Sequence, residues 1–178
     1  MKLASKSKNR IAILEMLQDG ITTSKIYETI DYKNQSEDEI KKFIYQHLLE
    51  RITSWVVEKK GFSLVLAKQR ARTMITWEGN TKTTVEDINF MGTKNRPYIT
   101  INIEGIKIAI EFKKGDRGNT LRDSFGQSLV YSTAHDFVLY LFIDTSVNEK
   151  IKNGAKSITE HKFLESIWNN FNIKFIIA

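Results

Sequence analysis

The stretch from Arg96 to Gly115, RPYITINIEGIKIAIEFKKG, constrains the chain more than any other, because it reads as a β-hairpin. Residues 97–103 and 106–112 are rich in Ile, Thr, Tyr and Phe, which suit a pleated and largely buried surface. Glu104-Gly105 supplies a two-residue turn between them. With those two residues in the loop, Ile103 faces Ile106 and Tyr98 faces Glu111.

Side chains alternate between the faces of a strand, so Glu111 and Lys113 share one face, with Tyr98 and Arg96 opposite them. The other face carries Ile108, Ile110 and Phe112. A strand this apolar has little reason to hold an acid and an amine side by side unless they act together. Ile-Ala-Ile-Glu111-Phe-Lys113, preceded by a hairpin that begins Arg96-Pro97, resembles the second half of the PD-(D/E)xK nuclease signature. The resemblance implies a restriction endonuclease-like core, an acid at position 111 that holds Mg²⁺ or Mn²⁺, and a Lys113 that activates or orients the attacking water. Hard cations take carboxylate oxygens, and a phosphodiester under attack needs positive charge beside its developing oxyanion.

The chain departs from that pattern at one position. Where the family has Pro-Asp, this sequence has Pro97-Tyr98, and a tyrosine is no ordinary ligand for a hard cation. Asp87, Glu86 and Asp116 are the acids nearest in sequence, and Asp87 is preferred as the replacement. The resemblance also implies DNA as substrate and a homodimer, since two strands need two sites. A scaffold that binds DNA after losing catalysis is the alternative reading.

The charge distribution favours the same partner. The net charge is +6, and residues 51–122 hold fourteen basic side chains against seven acidic ones. A local positive field of that size attracts a polyanion, although a solvated basic surface has the same composition. With 41% hydrophobic and 27% charged residues the chain is an ordinary globular one, and its 178 residues suffice for one buried core with an appendage. The absence of cysteine excludes disulfides and thiolate zinc sites. No apolar run reaches the roughly 18 residues of a membrane span, and no nucleotide-cradle motif is present. A cytoplasmic protein is expected, in the host cytoplasm if the source is viral or a mobile element.

Apolar spacing predicts a helix over 8–19, then a second short helix in ITTSKIYETI. Residues 1–36 thus read as a helical N-terminal extension, with the rhythm of a helix-turn-helix. Residues 1–50 hold eight basic and eight acidic side chains, a neutral balance that favours packing or dimer contact over DNA recognition. From Ser36-Glu37-Asp38-Glu39, a capping box with an acidic first turn, a long helix runs to Gly61 and opens the α/β core of residues 37–178. His47 lies near its apolar stripe and reads as structural. This helix resembles the first core helix of the nuclease family, which implies that Glu50 is an outer metal ligand; a solvent-facing Glu fits the spacing equally.

Phe62 to Lys68 is predicted as the first strand, and Lys68, Arg70 and Arg72 at alternate positions would then share one face as phosphate contacts. A further strand or hairpin is expected between Trp77 and Gly92. After the hairpin, Lys114 and Arg117 lie in a basic loop, and a helix capped by Asn119 or Thr120 carries Arg122, Gln127 and Tyr131. Gln127 and Tyr131 stand one turn apart. Following E-x-K, they resemble the Q-x-x-x-Y motif of part of the family, which implies that Gln127 positions the water and Tyr131 the DNA. DFVLYLFID, 136–144, reads as a strand buried on both faces and parallel to the E-x-K strand. A helix over 159–171, with a surface His161, and a final strand complete a mixed β-sheet flanked by helices.

Overall fold

The computed structural model describes residues 4–22, 32, 34–79 and 85–178. It is a mixed α/β fold with helices on both sides of a mixed sheet. In chain order the elements are α1 (Lys8–Thr22), α2 (Glu37–Lys60), α3 (Leu64–Met74), β1 (Ile75–Trp77), β2 (Ile88–Phe90), β3 (Thr93–Asn95), β4 (Ile99–Ile103), β5 (Ile106–Gly115), α4 (Gly118–Tyr131), β6 (Phe137–Asp144), α5 (Lys150–Gly154), α6 (Ile158–Phe171) and β7 (Ile173–Ile177). The short helix expected in 21–30 lies almost wholly outside the described residues.

The predicted capping box sets the start of α2. The Ser36 hydroxyl accepts from the Glu39 amide at 3.3 Å, and the Glu39 carboxylate accepts from the Ser36 amide at 3.0 Å. Gly61 ends the helix in the left-handed region at φ 65°. Ser36→Ala should lower the thermal midpoint by about 2–4 °C, with Ser36→Asp restoring it. Thermal denaturation followed by circular dichroism reads the difference, and an unchanged midpoint for the alanine variant would contradict it.

Five strands form the main sheet in the order β1-β4-β5-β6-β7, with β1, β4 and β5 antiparallel in succession and β5, β6 and β7 parallel. The hairpin register is the expected one, Ile103 opposite Ile106 and Ile99 opposite Ile110. Both loop residues have positive φ, Glu104 at 53° and Gly105 at 79°, as a tight two-residue hairpin turn requires. The crossover through α4 makes β5 and β6 parallel, and all eight residues of β6 are buried.

One sheet face packs Ile99, Ile101, Ile108, Ile110 and Leu139 against Leu14 and Leu17 of α1 and Ile44, Leu48 and Ile52 of α2, so α1 shares the main core. The other packs Ala109, Val138 and Ile173 beneath Tyr131 of α4 and Ile167 of α6. Among the described residues, no helix is long and apolar enough to cross a membrane.

Three local expectations are corrected. Residues 62–68 are not a strand: Ser63 caps α3, its hydroxyl accepting from the Leu66 amide at 3.5 Å, and Ala67 and Ala71, one turn apart, are the buried positions. Leu64 and Val65, which made the segment look like a buried strand, are 68% and 71% exposed. The first strand is therefore β1, and the inserted hairpin is β2–β3. Arg117, with no side-chain cap bond, precedes α4 in place of Asn119 or Thr120.

Candidate functional site

The β4–β5 ladder ends at Ile99–Ile110, just after Pro97, which has no amide to extend it. Released from the ladder, Tyr98 turns beneath α2 instead of standing opposite Glu111. Its ring meets Trp77 edge-on at 6.1 Å, and Lys41 Nζ lies 4.8 Å from the ring centroid. The hydroxyl is buried without a hydrogen-bond partner. Burial raises its pKa, and the charges of Asp38 and Glu78 raise it further. The position where the resemblance implies an aspartate is thus directed toward the N-terminus of α2.

Glu111 sits beside Tyr140 of β6 and is only 4% exposed. Lys113 Nζ is 3.9 Å from its carboxylate, so the expected acid and amine do stand together. Behind them, the Tyr131 hydroxyl donates to the Arg96 carbonyl at 2.9 Å and lies against Glu111. Burial pushes the Glu111 carboxyl above its ordinary range, with the charges of Lys113 and Lys41 and hydrogen bonding around Tyr131 and the Phe112 amide acting in the opposite sense. Tyr140 is fully buried, and its hydroxyl has no hydrogen-bond partner.

Two residues that sequence reasoning did not single out belong to this end of the sheet. Glu37 accepts from the Lys114 amide at 3.1 Å, and Lys41, one turn along α2, is 3.8 Å from Glu37. Nothing in the sequence separates them from other charges on that helix; only the packing of α2 across β5 brings them to the site.

The remaining expected residues scatter. Asp87 is held by Arg96 at 2.8 Å and faces Lys94 at 3.8 Å. Glu50 is 78% exposed and 3.9 Å from His47. It lies thirteen residues after Glu37 on the same helix, roughly 20 Å along the axis. Asp116 pairs with Arg117 at 3.8 Å on the surface, and Glu86 is exposed. Gln127 is exposed, whereas Tyr131 points inward with Ser124 and Ser128.

On the helix α3, Lys68 and Arg72 share one face and line a groove with Tyr45 and Glu50, while Arg70 points elsewhere. The Lys114 ammonium donates to the Gln35 carbonyl at 2.9 Å, and Arg122 bonds Asn119. Surface-exposed His161 pairs with Glu165 at 3.4 Å.

A divalent cation takes several carboxylate or carbonyl oxygens converging on one point. Among the described residues no three Asp, Glu or His side chains gather in that way. The buried carboxylate here has ammonium groups and phenols as neighbours, a donor set that does not suit Mg²⁺ or Mn²⁺. What the arrangement can do is hold one buried acid, its pKa raised by burial, beside a lysine ammonium. No family model, curated protein or solved structure matches this chain.

Proposed function

We propose that this chain is a DNA-binding protein built on a restriction endonuclease-like core, with the E-x-K pair kept and the cation site incomplete. The observation that carries this reading is Glu111, a buried carboxylate faced by Lys113, while the side chain at position 98 turns away under α2. The order of elements supports the scaffold: after α2 and α3 the strands β1, β4 and β5 are antiparallel in turn, with the β2–β3 hairpin inserted, and the crossover helix α4 leads to the parallel strand β6. The fourteen-to-seven charge excess over 51–122 supports the partner.

The test pairs binding with metal. DNA affinity is measured by fluorescence anisotropy, and Mn²⁺ is titrated calorimetrically into the protein. DNA binding without metal uptake or cleavage is the expected outcome. Absence of DNA binding overturns the reading.

A metal-dependent endonuclease hydrolysing DNA is the second reading, favoured by the assembled Glu111–Lys113 pair. It requires Mg²⁺ or Mn²⁺ on Glu111 with Asp87 and Glu50, and it predicts nicking of supercoiled DNA that Glu111→Ala or Lys113→Ala abolishes. A homodimer belongs to this reading.

A further inference from the structure

Beside the basic end of the sheet the chain keeps an apolar cavity that neither reading uses. It has a volume of about 610 Å³ and lies between α4 and α6 over β7, lined by Leu121, Phe125, Phe163, Leu164 and Phe175, with Arg122 and Glu160 as its charged lining residues. Phe125 is 6.0 Å from Phe163 and 5.8 Å from Phe175, ring centre to ring centre, so three aromatic faces converge. Phe163 is 52% exposed, large for a phenylalanine on a helix that buries its neighbour Ile167. Arg117, 82% exposed, precedes α4. The cavity opens where α4 begins, a few residues beyond Lys113.

We propose that this cavity takes an unstacked nucleobase, so that the preferred ligand is single-stranded DNA whose phosphates lie on Arg117 and Arg122. The inference rests on the DNA-binding reading above. A nucleotide brings a flat base face for the rings and a phosphate anion for the guanidinium groups, and stacking on aromatic side chains tolerates any sequence. A second copy of the chain is the other occupant to consider. Two copies that each carry a net charge of +6 repel one another, whereas the same charge attracts a polyanion.

The experiment measures anisotropy of a labelled oligothymidylate and of a labelled duplex of equal length, with the full chain at one ionic strength. Phe163→Ala should weaken oligothymidylate binding about tenfold or more and leave duplex binding unchanged. Phe163→Trp, which retains a stacking face, should keep the affinity. Equal effects on both ligands, or none on either, overturn the inference and leave the DNA-binding reading standing. A wild-type chain that binds neither ligand overturns both. Self-association in sedimentation without DNA, lost in Phe163→Ala, assigns the cavity to a second copy and also overturns the inference.

Discussion

Raising the salt concentration from about 50 to about 200 mM should weaken DNA binding by about a thousandfold. The candidate phosphate contacts are Lys68, Arg70, Arg72, Lys114, Arg117 and Arg122, six cations. Each neutralised phosphate contributes about −0.9 to the slope of log affinity against log salt, giving about −5 for the set. A fourfold rise in salt then removes about three decades. Arg72→Ala should lessen the slope by about one while leaving sequence preference unchanged, because a backbone contact carries no base information. Anisotropy titrations across a salt series measure both quantities. A slope near zero would mean that the basic excess of residues 51–122 is only a solvated surface.

The same six residues show where sequence and structure part. As a strand, 62–72 would have aligned Lys68, Arg70 and Arg72; as a helix it keeps Lys68 with Arg72 and turns Arg70 away. The run LVLA is too short to reveal its period, since four apolar residues satisfy a buried strand and a helix alike. Ser63 as a cap and the four-residue spacing of Ala67 and Ala71 carried the correct signal. Elsewhere local chemistry was decisive. Ser36 and Glu39 fix one end of α2 and Gly61 the other, and Glu104-Gly105 fixes the hairpin register, because each of these constraints lies within a few residues of its effect.

Contacts between distant residues were less legible. The spacing of Gln127 and Tyr131 places both near one side of α4, but the inward stripe is Ser124, Ser128 and Tyr131, whose small serines allow the helix close to the sheet, so Gln127 remains outside. Register arithmetic placed Tyr98 opposite Glu111 by extending the ladder one pair beyond Ile99–Ile110. The ladder stops there, and the ring finds Trp77 and Lys41 instead. Lys41 itself lies seventy residues before Glu111, and no local pattern relates the two.

Glu111→Gln should stabilise the protein at neutral pH and raise its thermal midpoint, because the substitution removes a buried carboxyl whose charged form burial disfavours. Burial raises the folded-state pKa of Glu111 above its unfolded value. Below the unfolded pKa, near 4.3, both states hold the proton and the group has no effect. As pH rises above that value the unfolded chain releases its proton first. The unfolded state then binds fewer protons than the folded state, and stability falls until the folded pKa is passed. The glutamine variant has no such descent, so its advantage should be absent near pH 4, grow with pH and then level off. Lys113 on β5 and Lys41 on α2 oppose the effect, while Tyr140 on β6 offers only an unpartnered phenol. Urea unfolding of wild type and variant at intervals between pH 4 and 8 measures the difference. A variant less stable than wild type at pH 7 would show that the two lysines hold Glu111 ionised, and an ionised carboxylate would strengthen the endonuclease reading against the binding one.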